Sequence, residues 1–219
     1  MATKLPPLPV GVAPGSGYWN DWYEKLRTLV NNTVTGLPHN SLSGLQGGTA
    51  AQYYHLSLAD YARVAAGFSY GDFCNTSTIT AAAADTPYAI TFSNTNVSLD
   101  VTLGSPTSRI VCGKAGIYSF EFSLQVESSS AATQTITIWA RKNGTDIANS
   151  ASTVSIKSNT ETIVPAWNFV ETMGVNDYFE LVWSTTSTTV TLSAHASQTV
   201  PYIRPAIPSA LLTAFKLGP

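Results

Sequence analysis

Residues 116–126 read Gly-Ile-Tyr-Ser-Phe-Glu-Phe-Ser-Leu-Gln-Val, and no other stretch narrows the possible folds as much. The even positions, Tyr118, Phe120, Phe122, Leu124 and Val126, are apolar. Among the odd ones, Ser119, Glu121, Ser123 and Gln125 are polar and Ile117 is the exception. A helix repeats every 3.6 residues and would scatter these side chains around its axis. A strand repeats every two and puts the aromatics on one face. The stretch therefore predicts a strand with one face in a hydrophobic core.

Further strand signals follow at short spacing. Residues 88–92, 97–103 and 108–112 precede this strand, and Asn94, Thr95 and Asn96 supply turn residues between two of them. Residues 133–142 alternate, and Asn143-Gly144 behind them is a two-residue hairpin signal, because the favoured turn needs positive φ at both central positions. Residues 154–157, 161–170, 177–184 and 188–194 come next, and 209–217 close the chain. About ten strands with no helix among them predict a mainly β fold, a sandwich or jelly roll. The last run, Ala210-Leu-Leu-Thr-Ala-Phe215, is apolar on both faces, which suits the middle of a sheet or a subunit interface. Trp139, Trp167 and Trp183 read as core or interface anchors rather than as a ligand platform.

Composition excludes several classes of partner. Only 11% of the 219 residues are charged, against roughly a quarter in an average globular protein, so Ser, Thr and Asn carry the polarity. Such a neutral, hydroxyl-rich surface suits β structure and dense assemblies. A net charge of −2 gives no basic footprint for nucleic acid. No apolar run approaches the ~18 residues of a membrane span, so no membrane insertion is expected. The opening residues lack the apolar core of a secretory signal, so no export is expected. The sequons at Asn31, Asn75, Asn96 and Asn143 then read as chance. Cys74 and Cys112 are expected to be two buried thiols, since pairing requires the fold to bring them together.

Ahead of the strands the chain changes character. Residues 1–35 begin with Pro6, Pro7, Pro9 and Pro14, which favour an extended backbone, and continue into a helix over 18–30. Tyr18, Trp19, Trp22, Tyr23, Leu26, Leu29 and Val30 fall on one wide face of it. Asp21 and Glu24 sit in its early turns and Lys25 and Arg27 later, as the helix dipole favours, and Asp21 with Lys25 forms an i,i+4 pair. A helix of about 13 residues is marginal alone in water, so the aromatic face needs a partner. It either folds back on its own domain or mediates self-association or docking into a larger particle. The Pro-rich lead and Gly-rich exit, which isolate the helix, favour docking or self-association. Residues 36–73 are punctuated by Gly44, Gly47 and Gly48, then by a capping box at Ser57–Asp60 opening a helix over 58–66 that Gly67 stops. His39 and His55 have no Cys or carboxylate at ligand spacing, so no metal is expected, and His195 reads as an ordinary strand residue.

Two resemblances attach to these residues. The run His39-Asn-Ser-Leu-Ser-Gly-Leu-Gln-Gly-Gly48 with Tyr53-Tyr-His-Leu56 resembles a module of bacteriophage tail-fibre and related virion proteins. The helix Tyr18-Trp-Asn-Asp-Trp-Tyr23 more loosely resembles those that begin some phage structural proteins. The second resemblance rests on Gly116-Ile-Tyr-Ser-Phe-Glu-Phe, Trp139-Ala-Arg-Lys-Asn-Gly-Thr-Asp-Ile147, Val164-Pro-Ala-Trp-Asn-Phe169, Asn176-Asp-Tyr-Phe-Glu-Leu181 and Ile207-Pro-Ser-Ala-Leu211. In this order they are similar to the jelly-roll heads of the tumour necrosis factor and complement subcomponent q superfamily, above all its phage-encoded branch. That resemblance covers residues 74–219 and implies a ten-stranded jelly roll that trimerises about a threefold axis. It places Ser119, Glu121 and Ser123 near that axis, with Glu121 standing where the family usually has an aromatic.

No nucleophile elbow, phosphate loop or His–Glu metal motif appears, so no catalytic residue, metal or cofactor is assigned. The chain is expected to be a homotrimeric bacteriophage virion protein that uses no cofactor. Residues 1–35 would attach to other virion proteins of tail or capsid, through Tyr18, Trp19, Trp22, Tyr23, Leu26 and Leu29. Residues 36–73 would form a Gly-rich fibre module and 74–219 the head. Host attachment, as a tail fibre or receptor-binding protein, is the expected role, with a head fibre or capsid decoration protein as the alternative. A glycan depolymerase or a secreted lectin-like trimer is disfavoured. The Ser/Thr/Asn-rich stretches 128–133, 149–153 and 185–189 suit hydrogen bonding to a neutral host surface glycan. Thr185, Thr186, Ser187, Thr188 and Thr189 are the candidate receptor loop.

Overall fold

The computed structural model describes residues 10–11, 17–35, 64 and 67–219. The chain divides into two compact units, Met1–Tyr61 and Ala62–Pro219. The Pro-rich lead, the glycine module with His39 and His55, and most of the helix expected over 58–66 lie outside the described residues.

In the first unit the helix α1 spans Gly17–Thr35, 19 residues, longer than the aromatic periodicity alone predicts. Trp19, Trp22, Leu26 and Leu29 form a half-buried stripe along it, while Tyr18, Tyr23 and Val30 are exposed. Lys25 Nζ donates to Asp21 Oδ2 at 2.7 Å, as the spacing predicts, and Arg27 pairs with Glu24 at 2.7 Å. The expected match to the helix dipole does not hold. Because α1 is longer at both ends, the first turn holds no acidic residue and the last turn no basic one.

At the start of the second unit Gly67 has φ +66° and donates its N–H to the Val64 carbonyl at 3.1 Å, a left-handed turn that glycine adopts without strain. The strands follow as β1 (Tyr70–Asn75), β2 (Ile79–Thr80), β3 (Tyr88–Ala89), β4 (Asn94–Leu99), β5 (Val101–Leu103) and β6 (Ile110–Cys112). Next come β7 (Gly116–Leu124), β8 (Val126–Ser128), β9 (Gln134–Lys142), β10 (Thr145–Asp146) and β11 (Ser152–Ile156). The last are β12 (Thr162–Ile163), β13 (Ala166–Met173), β14 (Tyr178–Thr185), β15 (Val190–Leu192) and β16 (Ala210–Gly218).

These make two facing sheets and a small extension. The first sheet has the order β13-β7-β16-β1-β4, and the second runs β10-β9-β14-β6-β5 with β11 and β3 attached. Four short strands, β12-β8-β15-β2, form the extension. The strands of eight or nine residues, β7, β9, β13, β14 and β16, alternate between the two sheets along the chain, as in a jelly roll.

Among the described residues there are sixteen strand segments where the sequence suggests about ten, because three runs that read as continuous are broken where they change sheet and β1, β2 and β10 lie outside the predicted runs. Residues 97–103 split at Asp100, whose φ of +58° swings the chain from the first sheet into the second. Pro165 divides 161–170, since it has no N–H to give a ladder. Asn94–Asn96, expected as a turn, lie inside β4. The sandwich also begins before residue 74: β1 starts at Tyr70 and its Phe73 is fully buried.

Strand β7 behaves as its pattern predicts. Tyr118, Phe120, Phe122, Leu124 and Val126 all lie in the core. Phe120 stacks on Phe179 of β14 with centroids 4.1 Å apart and planes 5° from parallel, bridging the sheets. β16 sits between β7 and β1, a central strand as its two apolar faces require. Asn143 and Gly144, at φ +50° and +81°, make the hairpin turn joining β9 to β10.

Cys74 on β1 and Cys112 on β6 stand in different sheets and are both buried and free, as expected of two structural thiols. Burial pushes the Cys112 thiol up to about 12, so almost none of it is thiolate at pH 8. Ellman's reagent should therefore leave the native protein unlabelled over an hour and react with both thiols once guanidinium unfolds it. Rapid labelling of the native state would contradict this packing.

Candidate functional site

The side chains of β7 that point away from the core lie on an open sheet face. Strand register sets what surrounds them. Across β16, β7 and β13 the face reads Leu211–Ser123–Ala166, then Thr213–Glu121–Asn168, then Phe215–Ser119–Val170. Ile117, Val170, Leu211, Phe215 and Leu217 are all exposed on these strands. So is much of Val97 and Leu99 on β4. Monomers seldom leave so many large apolar side chains uncovered on one sheet face, and such a patch marks an interaction surface. Glu121 is the one charge in these rows. Shallow depressions flank it, one lined by Ala166, Trp167 and Asn168, the other by Ser123, Leu211 and Thr213.

Of the three residues mapped near a threefold axis, Glu121 and Ser123 are open on this face. Ser119 is only 6% exposed, because the larger Phe215 and Val170 close over it from the neighbouring strands. The apolar neighbours, more than Ser119, supply the contact area here.

The second surface is one end of the sandwich. The chain enters β1 at Ser69, whose carbonyl accepts from Lys216 N–H, and leaves at Asn75, whose carbonyl accepts from Ser209 N–H. Gly113 binds Asp100, and Asn143 N–H binds the Tyr178 carbonyl, so these turns lie at the near end with Ser69. Residues 185–189 and 128–133 lie at the far end. Residues 149–153 do not join them: the Ser150 hydroxyl donates to the Ile147 carbonyl at 2.7 Å and holds that stretch beside the middle of β9.

The candidate receptor loop is a tight turn whose hydroxyls mostly serve itself. Thr185 is 2% exposed and its hydroxyl donates to the Ser187 carbonyl. Thr186 Oγ1 donates to Gln134 Oε1 at 3.1 Å and accepts from the Thr135 N–H at 3.0 Å. Ser187 and Thr189 bond hydroxyl to hydroxyl at 2.8 Å. Thr188 is exposed and carries no side-chain hydrogen bond among the described residues.

The remaining site-like residues settle differently from their sequence appearance. His195, read as an ordinary strand residue, places Nε2 2.7 Å from Glu127 Oε1, which also accepts from the Thr162 hydroxyl. The partners are 68 and 35 residues apart, so no local spacing could signal them. Trp183 is fully buried, and Trp167 packs edge-on against Phe122 at 4.5 Å, both as expected of anchors. Trp139 instead lies on the outward face of the second sheet, half-exposed, with its Nε1 2.9 Å from Asp146 Oδ1. Among the described residues no three His, Cys, Asp or Glu side chains gather into a set able to hold a metal ion. None of the described helices is long and apolar enough to cross a membrane.

No protein-family model and no curated protein matches the sequence. Among solved structures the chain is similar to the globular domain of zebrafish complement 1qA protein, at 13% identity and a TM-score of 0.41, over 68% of this chain and 97% of that one.

Proposed function

We propose that the chain is a homotrimeric structural protein of a bacteriophage particle, a tail fibre or receptor-binding protein whose head mediates attachment to the host. The observation that carries the oligomer is the apolar face of β7, β13 and β16, on which Phe215 is 45% exposed in the single chain. Covering it with further copies about a symmetry axis removes its apolar area from water. The phage assignment is supported by the residue patterns at 39–56 and 116–211, and the attachment role by a far end that faces away from where the chain enters the sandwich. Tyr18, Tyr23 and Val30, all at least half-exposed on α1, supply the particle contact in this reading.

Removing residues 1–35 should leave a folded trimer that no longer incorporates into particles. Gold-labelled antibody against the chain, viewed by electron microscopy, then reads two things at once. Label at the tail tip of wild-type particles and none on particles assembled with the truncated chain is the expected result. Label on the capsid would assign a head-fibre or decoration role instead, and undiminished label with the truncated chain would remove the anchor assignment.

A further inference from the structure

The outward face of the second sheet carries a row of polar groups and one indole that lie outside the hydrophobic core cluster. Strand β9 alternates cleanly: Ile136, Ile138 and Ala140 are fully buried, while Thr135, Thr137, Trp139 and Arg141 point outward and are partly exposed. Those four span about 20 Å along the strand. Beside them, Thr153 of β11 lies opposite Thr137, their hydroxyls 3.3 Å apart, and Ser184 of β14 flanks it on the other side. The row ends in a built cluster. Asp146 Oδ1 accepts from both Trp139 Nε1 and Arg141 Nε, each at 2.9 Å. Its Oδ2 has no hydrogen bond among the described residues, nor have the two terminal nitrogens of Arg141.

Other features make this more than a surface ion pair. Trp139 and Arg141 stand on β9 and Asp146 on β10, paired directly opposite Arg141, with the Asn143-Gly144 turn fixing the register. The polar groups are thus held on strands and lose little freedom on binding. Glu180, across β14 from Arg141, is 5% exposed and takes its hydrogen bond from the Ser108 hydroxyl at 2.7 Å, which leaves Arg141 to Asp146. The Trp139 and Arg141 donors hold the Asp146 carboxyl below the usual carboxylate range, so it stays an acceptor at neutral pH. An indole beside a fixed acceptor and a fixed pair of donors matches a pyranose, which offers an apolar C–H face and adjacent hydroxyls. The hydroxyl row leading away from it fits further sugar units.

We propose that this face binds an extended oligosaccharide, with the Trp139 ring as its apolar floor and the free Asp146 oxygen and Arg141 nitrogens as partners for neighbouring sugar hydroxyls. The inference deepens the attachment reading and rests on it for the source of the sugar, a polysaccharide of the host surface. It moves the contact from the 185–189 turn, where most hydroxyls are engaged within the protein, to a sheet face where one Asp146 oxygen and the Arg141 terminal nitrogens are open. Each site is shallow, so avidity across three copies would supply the strength.

The test uses the labelled full chain on arrayed bacterial surface oligosaccharides, with W139A, W139F, D146N and a variant whose 185–189 turn is a Gly/Ser linker. Wild type should be retained on at least one oligosaccharide. Apparent affinity should fall by about tenfold or more in W139A and D146N. W139F, which keeps a ring, and the linker variant should stay close to wild type, and unchanged circular dichroism shows that D146N and W139A fold. No retention of wild type, or retention that neither W139A nor D146N lowers, would overturn the site. Particle adsorption separates the two readings. If adsorption requires the chain but is indifferent to W139A, the sheet site falls and attachment stands. If adsorption persists without the chain, attachment falls and the array result alone decides the site.

Discussion

Replacing Phe215 with glutamate is expected to convert the proposed trimer into monomers. The side chain stands on the outward face and is 45% exposed in the single chain, so in the proposed trimer its remaining packing partners come from another copy. Completing its burial contributes about 1–2 kcal/mol at each interface, and an unpaired carboxylate in its place costs several more. Threefold symmetry repeats the change at every interface, so the loss is at least about 6 kcal/mol, or more than 10⁴-fold in the trimerisation constant. Sedimentation at micromolar concentration should then give one chain of 23.3 kDa in place of a particle of about 70 kDa. The monomer should keep its β signature, because Phe215 points away from the core. Leu211→Asp, two rows along on the same strand, should act in the same direction. A trimer that survives both substitutions would show that this face is not the interface. Cys74 and Cys112 are buried and free, so reductant should leave the oligomer unchanged.

Much of the fold could be read from local pattern because local pattern encodes it. The alternation of β7, the Asn143-Gly144 hairpin and the central place of β16 each follow from a few neighbouring residues. Where the reading fails, the deciding interaction is long-range. Nothing local to residues 97–103 reveals that Asp100 turns the chain into the opposite sheet, where its carbonyl accepts from Gly113 N–H at 2.7 Å. Asn94 and Asn96 look like turn residues by propensity, yet pairing with β1 places them in a strand. The surfaces follow the same rule. Ser/Thr content alone marks the 185–189 turn as a hydrogen-bonding loop, but Gln134 and Thr135, some fifty residues earlier, are what occupy Thr186. Trp139 looks like any core tryptophan until its parity is set against Ile138 and Ala140, which are buried. Since inward and outward residues alternate, a single step along β9 separates a core anchor from a half-exposed ring.

Phe120→Ala is the second substitution with a large expected effect, and it acts on folding rather than assembly. Phe120 is 1% exposed, lies against Phe179 at 4.1 Å, and continues the stack to Tyr118 at 6.0 Å. It thus joins β7 of one sheet to β14 of the other. Truncation removes most of the ring contacts and leaves a void that close-packed strands cannot collapse to fill, a change that costs about 3–5 kcal/mol. Against a total stability of about 5–15 kcal/mol, that is a large fraction of what holds the sandwich together. The urea midpoint should fall steeply with an unchanged slope, measured on the F215E background so that dissociation does not enter the transition. Val170→Ala, on the outward face of the same sheet, should leave the monomer's midpoint nearly where it was. Combining Phe120→Ala with Phe179→Ala should cost less than the sum of the two, since both remove the same ring contact. Strict additivity would mean that the stack is not the joint between the sheets, and an unmoved midpoint for Phe120→Ala would mean that the alternation of residues 116–126 does not point its aromatics into the core.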